Sequence, residues 1–540
     1  MSNTDERLEH VQDHAHPDEN LPEGSVVDGA ELSGDVDDVY DFVVVGSGAA
    51  GSVAAHTLAK AGWSVAIVEE GPWVKTRTFK EDVLGTFRTV LRDAGMQVVK
   101  GRTFMPLIQG KCVGGSTLVN SAIAWRTPED VVDDWAAAYG LGSVVTMKSL
   151  EPHFEALERD LNAHAVLDDV LGENNRLFLE TAKSQGIRAT RMRRYERGCK
   201  GTGQCLTGCP SGAKQGMSVS YVPWALATGR ARIFCSTRVE RIDVRGGRAV
   251  GVSARAGEPR RGDLAQQGRA ARRVTLRARH GVIVAASTVQ TPNILRRSGL
   301  RARAIGQHFQ AHPGMGAGGL FDRPISMDFG ATQGAESIDF RMTERIKLET
   351  IAMPPELAAA RIPFLGGELS ERLASFANVG IWVANIRMKA EGIVDTSWDG
   401  RDRVRFTPTP EDMVSVRSAL VRIVRLLLDG GAREVWPGVY GLPSCITSQD
   451  QLSAVETSTL DPAGYSFVAT HLFGAARMGP DPRTSAVGLD FATHEARSLY
   501  VVDSSIFPTN LGVNPQHSIM ALARLAAVRL AADASKATAA

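Results

Sequence analysis

Residues 40–71 constrain the fold of this chain more than any other stretch. "DFVVVGSGAAG" is an apolar strand running into a glycine turn, "SVAAHTLAKAG" places small and apolar residues at helical spacing, and "WSVAIVEEG" is a second strand. Such a strand–helix–strand unit joins parallel strands, so the chain is of the α/β class with an open sheet. The turn, Gly46-Ser47-Gly48-Ala49-Ala50-Gly51, has the G-x-G-x-x-G spacing of a dinucleotide site. Gly46 permits the tight turn, Gly48 lets a pyrophosphate approach the backbone, and Gly51 lets the helix pack closely on the strand. The helix N-terminus beyond offers its free N–H groups to the phosphates. Glu69 ends the second strand eighteen residues after Gly51. An acid there binds ribose hydroxyls and disfavours a 2′-phosphate, so FAD or NAD is expected over NADP. A second glycine-rich stretch, "GKCVGGSTLVNSAIAWR" at 110–126, carries Gly110, Gly114, Gly115, Ser116 and Asn120. A long buried ring system needs a second backbone-close segment, which favours FAD.

With 540 residues the chain exceeds one hydrophobic core, so two intertwined or successive domains are expected. Apolar residues at 43% and charged residues at 22% exclude a wholly disordered, collagen-like or coiled-coil chain. No apolar run approaches the roughly 18 residues of a membrane span. Six cysteines in this length make no disulfide framework, and reduced thiols in the cytoplasm are expected. Residues 1–38 hold twelve Asp and Glu against Arg7 alone. With little apolar content and no period they read as a disordered acidic leader, either solubilising or folding back on a basic face. The leader lacks the basic start and apolar stretch of a secretion signal. The basic excess elsewhere is dispersed Arg without interleaved aromatics, so no nucleic-acid partner is expected. Residues 129–190 read as helical, 230–284 as a meander of strands with an exposed loop around 257–271, and 460–535 as strand, glycine turn and helix.

Five further segments, in order, carry a family resemblance. They are "VGGSTLVN" at 113–120, "GVIVAASTVQTPNILRRSGL" at 281–300, "IGQHFQAHPG" at 305–314, "HLFGAARMGPDPRTSAVG" at 471–488 and "LYVVDSSIFPTNLGVNPQHSIMALA" at 499–523. Together with the first glycine turn they resemble the glucose–methanol–choline (GMC) flavin oxidoreductases over residues 40–535. The resemblance implies a discontinuous, Rossmann-like FAD-binding domain from 39–128, 196–312 and 456–536. A substrate domain would comprise the helical segment 129–195 and residues 313–455, built on a β-sheet with flanking helices. It implies that Gly46, Ser47, Gly48, Ala50 and Gly51 hold the pyrophosphate, Glu69 the adenosine ribose and Val239 the adenine. Gly110, Gly114, Gly115, Ser116 and Asn120 would lie along the flavin, with Asp503, Ser504 and Pro515 at the ribityl and ring region. His471 matches the family's catalytic histidine, and Asn514 its partner beside the flavin. Some members anchor FAD through a histidine just before the Asn of the second motif. Val119 stands there, so non-covalent FAD is expected. "GCKGTGQCLTGCPSGAKQGMSVSYVPWA" at 198–225 resembles a segment of the long-chain alcohol oxidase branch and its bacterial relatives.

Cys199, Cys205 and Cys209 are spaced C-x5-C-x3-C without the C-x2-C pair of a metal site, so a structural loop, with room for one labile disulfide, is expected and no metal. His10, His14 and His16 lie in the leader, too mobile there to fix a metal. His312 is expected to be structural near a domain junction. His517, three residues after Asn514, is expected to line the substrate pocket.

The chemistry implied is oxidation of an alcohol. One group must take the hydroxyl proton while the carbon-bound hydride goes to the flavin. Histidine suits the first task because it is mostly neutral at pH 7, so His471 is expected to act as base and Asn514 to donate to the substrate oxygen. Electrons would pass to O2 or to another acceptor such as a quinone. A different flavin reaction on the same scaffold and a catalytically silent flavoprotein are the competing readings. The alcohol and the oligomeric state stay open.

Overall fold

The computed structural model describes residues 17–79, 82–257 and 271–539. The histidines of the leader and the loop expected around 257–271 fall essentially outside the described residues.

Two sheets organise the chain. In the first, the strands Val26–Asp28, Ala231–Cys235, Val65–Val68, Val36–Val45 and Arg272–Val284 run parallel in that order. Arg272–Val284 has two halves. Residues 272–277 pair antiparallel with Arg248–Ala256, whereas Val282–Val284 pair parallel with Leu499–Val501. The sheet is therefore assembled from three distant parts of the chain, as expected for a discontinuous Rossmann-like domain. Val43, Val44, Val65, Ile67 and Val282 are fully buried, the all-apolar pattern of parallel strands covered on both faces. The helix Ala49–Lys60 covers one face, and the C-terminal helix Gln516–Ala539 packs on it.

The second sheet is mixed in sequence order and antiparallel: Ala432–Trp436, Gln310–Phe321, Val379–Ile386, Ile346–Thr350, Ala335–Ser337 and Thr190–Arg191, with Val468–Phe473 also on Gln310–Phe321. The helix Pro410–Asp429 lies on it, started by Thr409 and Asp412 in reciprocal side-chain caps and by Pro410 at its first position. Met413, Leu420, Ile423 and Leu427 of that helix fill a second core with Trp382 and Phe321.

Two expectations change. The described part of the leader, residues 17–38, is ordered: Val26–Asp28 is an edge strand, and buried Asp18 accepts from the Thr76 N–H at 2.8 Å and the Thr76 hydroxyl at 3.1 Å. Its acids fold back on bases, Asp35 on Arg273, Asp37 on Arg277 and Asp38 on Arg232, which is how a polar stretch lies on a sheet edge. The helical segment 129–195 also divides. Val131, Trp135 and Phe154 enter the first core, whereas Leu177 and Phe178 enter the second.

Candidate active site

The first turn is shaped by its glycines in three ways. Gly46 has φ of 99°, and a Cβ there would lie 2.3 Å from the Ala285 carbonyl oxygen. A Cβ on Gly51 would lie 1.9 Å from the Gly46 carbonyl oxygen, so only glycine lets the helix return onto the turn. A Cβ on Gly48 would meet nothing within 4 Å. Gly48 opens instead onto a cavity of ≈ 1810 Å³, and the helix begins there with no side-chain cap, leaving its first N–H groups for an anion.

Gly46, Gly48, Ala50, Glu69, Gly110, Gly115, Ser116, Asn120, Val239, Asp503, Ser504, Pro515, His471 and Asn514 all line this one cavity. Ser47, Gly51 and Gly114 lie one layer behind. Ser47 is fully buried and ties the two glycine turns together. Its N–H and hydroxyl donate to Glu69 Oε2 at 3.0 and 2.7 Å, and its hydroxyl oxygen accepts from the Gly114 N–H at 3.1 Å. Glu69 Oε1 accepts from the Gly71 N–H at 2.9 Å. Oε2 thus accepts two bonds and Oε1 one, which leaves acceptor capacity on Oε1, and burial pushes the carboxyl up despite these bonds. Asp503 accepts from the N–H groups of Ser287 and Ser505 at 3.0 and 2.8 Å and from Thr291 Oγ1 at 2.5 Å, which joins the end of Arg272–Val284 to the end of Leu499–Val501. Asn120 donates to Gln516 Oε1 at 2.5 Å, and Val119 beside it is a buried aliphatic side chain.

The other end of the cavity is built on the second sheet. His471 sits on Val468–Phe473 directly opposite His312 on Gln310–Phe321. Their rings are nearly perpendicular at 83°, with Nδ1 to Nδ1 at 3.3 Å. The Gly512 N–H donates to His312 Nε2 at 2.9 Å. Asn514 Nδ2 lies 3.5 Å from His471 Nε2, and Asn514 Oδ1 accepts from the ammonium of Lys347. Lys347 is fully buried between Glu336 at 2.6 Å and Glu349 at 2.5 Å. Gln333 donates to Glu349 Oε2 at 2.8 Å. His471 is partly exposed and lines the cavity. Burial pulls its imidazole down to about 4, and pulls His312 well below the usual range, so both are neutral at pH 7.

The GMC oxidoreductase N-terminal family model matches residues 40–314 and the C-terminal one residues 390–523. This chain belongs to the GMC oxidoreductases. It is 34% identical over 524 residues to a GMC-type oxidoreductase of Mycobacterium tuberculosis, covering 96% of this chain and 79% of that one. A long-chain-alcohol oxidase of Arabidopsis thaliana is 27% identical, covering 91% of this chain and 66% of that protein. Among solved structures, formate oxidase superposes with a TM-score of 0.69 at 17% identity, covering 93% of this chain and all of that one. Pyridoxine 4-oxidase from Mesorbium loti gives 0.68 at 18%, covering 91% and 98%. These two show the shared fold. As a GMC family member the chain is an oxidoreductase and a flavoprotein.

Not every expected residue of this GMC site is where the motif order placed it. His517 is fully buried but does not line the cavity. It packs between Phe154 and Tyr195, with Nε2 3.3 Å from Glu158 Oε1. One residue beyond the cavity-lining Gln516, a rotation of about 100° around the C-terminal helix, takes it off the cavity face. His312, expected to be structural, instead meets His471. Lys347, Glu349 and Gln333 were not singled out, since no motif flags a lysine on an apolar strand. All six cysteines are free thiols. The cysteine segment works as a clamp. Arg194, fully buried, bonds the Ser121 carbonyl at 3.0 Å and Cys205 Sγ at 3.1 Å. Lys214 Nζ bonds the carbonyls of Leu118, Asn120 and Cys205 at 2.6, 2.8 and 2.8 Å. Both cations hold residues 118–121 against the cavity.

Proposed function

We propose that the chain oxidises an alcohol to the aldehyde or ketone with non-covalently held FAD, and that His471 and Asn514 hold the reacting oxygen. The observation that carries this is their placement. His471 Nε2 and Asn514 Nδ2, 3.5 Å apart, wall the same cavity that Gly48 opens onto. The residues fit a dinucleotide. Gly46 and Gly51 have no room for a Cβ, Gly48 opens onto space, and an uncapped helix N-terminus faces it. In this reading Gly46, Gly48 and the helix N-terminus take the pyrophosphate, Glu69 the ribose and Val239 the adenine. Gly110, Gly115, Ser116 and Asn120 follow the flavin, and Asp503, Ser504 and Pro515 complete its cradle. Val119 offers no nucleophile for a covalent link. When bound, FAD would supply the hydride acceptor and the two-electron route to dioxygen, with hydrogen peroxide as the product.

The cavity lining includes Ile351, Leu357, Ile362 and Trp436, apolar surface that suits an alcohol with a hydrocarbon body. The similarity to a long-chain-alcohol oxidase supports the same substrate class. An anaerobic screen of alcohols for bleaching of the flavin tests the reading, followed by admission of air. Bleaching by at least one alcohol is expected, with fast recovery of colour in air. Recovery over minutes together with fast turnover on a quinone would make the chain a dehydrogenase. No bleaching by any alcohol would make it a silent flavoprotein.

A further inference from the structure

We propose that His471 and Asn514 form a preset pair of hydrogen-bond donors for an oxyanion, the tautomer of the first fixed by His312 and the orientation of the second by Lys347. The inference rests on reading the cavity as the alcohol site and adds how the oxygen is held there.

The backbone N–H of Gly512 can only donate, so the His312 Nε2 that receives it at 2.9 Å carries no proton. His312 is fully buried, with Arg341, Arg387 and Lys347 as the cations acting on it, and it is neutral. Its single ring proton is therefore on Nδ1, which faces His471 Nδ1 at 3.3 Å. His471 Nδ1 must accept that proton's bond. As a neutral ring, His471 then carries its own proton on Nε2. A parallel chain fixes the amide. The Lys347 ammonium, held by Glu336 and Glu349, can only donate, so the end of Asn514 that faces it is Oδ1. The NH2 end is left beside His471 Nε2 at 3.5 Å.

Two donors so placed cannot satisfy one another, and both residues wall the cavity. One oxygen lone-pair centre between them satisfies both. Fixed donors of this kind hold an oxygen that already carries negative charge, such as a carboxylate oxygen, without rearrangement. The sequence reading of His471 as base requires the opposite tautomer. A bare Nε2 on His471 puts its proton on Nδ1, which forces His312 to protonate Nε2 against the Gly512 N–H. His312 and Lys347 are thus positioning residues that act through His471 and Asn514.

The tautomer is measurable on holoenzyme carrying 15N-labelled histidine, with His471→Gln identifying the His471 signals. Protonated Nε2 and bare Nδ1 from about pH 6 to 9 are expected. A protonated Nδ1 overturns the proposal. Hexanoate, titrated against the holoenzyme and followed by flavin absorbance, gives a second reading. Preset donors bind the carboxylate with an affinity that varies by less than about threefold over that range. A histidine that must first take up a proton loses about tenfold per pH unit. That slope, or no saturable binding at any pH, counts against the pair. In His312→Phe with FAD content matched to wild type, the flat profile should become sloped, and a profile that stays flat removes the positioning role of His312. Failure of every alcohol to bleach the flavin would sink the functional reading and leave the tautomer result standing.

Discussion

At the nucleotide end of the cavity Gly46, Ser47, Gly48, Gly51 and Glu69 come from one continuous stretch of chain, and their contacts are mostly with one another. At the reacting end His312, Lys347, Glu349, His471 and Asn514 come from four separate segments and meet only because the second sheet and the C-terminal segment are folded against each other. The first end depends on backbone shape, with glycines where a Cβ has no room. The second depends on side-chain hydrogen bonds whose direction is set from behind. Damage should therefore show as lost cofactor at one end and as lost rate, or lost stability, at the other.

The largest effect is expected at Gly51. In Gly51→Val the new side chain starts 1.9 Å from the Gly46 carbonyl oxygen, so the turn cannot close and no flavin should copurify. Gly48→Leu should also lose FAD, but with thermal unfolding close to that of flavin-free wild type, because its side chain enters open space. Visible absorbance and Tm measured on both variants separate the two roles. A yellow Gly51→Val protein would break the comparison at its firmer end.

At the reacting end His471→Ala should stay yellow and lose about 10²–10³-fold in kcat on any alcohol that wild type oxidises. Loss of FAD together with activity would mean that the two ends are not separable. Lys347→Met is expected to act on stability as well. It leaves Glu336 and Glu349 buried without their cation, at about 3–5 kcal/mol by urea unfolding. Arg102→Met, which breaks the exposed pair with Asp461, should leave the urea midpoint unchanged.

The same contrast explains how much was legible in the sequence. Gly46, Gly48 and Gly51 at their spacing imply their own geometry, because a turn and its helix are local. His471 and Asn514 were found only through the family resemblance, since no periodicity marks a histidine on a strand as facing a cavity. His312 sat in a quoted motif, yet its partner lies 159 residues away and depends on strand register. Lys347 gave no signal. A lysine in "IKLET" reads as the solvent face of an alternating strand, whereas all five residues are buried. His517 shows the converse, since it is close to Asn514 in sequence but packs against Glu158 away from the cavity. The edge strand Val26–Asp28 was lost in an acidic stretch whose charges are neutralised by arginines far along the chain.

The smallest expected effect concerns acid stability. His56 on the helix Ala49–Lys60, His153 on the helix Met147–Asp160, and His471 are each pulled down to about 4 by burial, and His312 lower still. An unfolded histidine titrates near 6.5. The folded state thus binds fewer protons between these values, so the stability of neutral burial is present above about pH 6.5 and is lost as pH falls toward 4. Glu69 and Asp503, pushed up by burial, titrate in the opposite sense, so the net curve does not isolate any one group. A difference does. His153→Gln cannot take up the proton, so its Tm should lie below wild type at pH 8 and close on it as pH falls below 6.5, with turnover unchanged, since His153 contacts Arg524 and does not line the cavity. His312→Phe should close on wild type in the same way but with altered turnover at every pH. A Tm gap for His153→Gln that stays constant from pH 8 to 4.5 would show that this histidine is not held neutral by the fold.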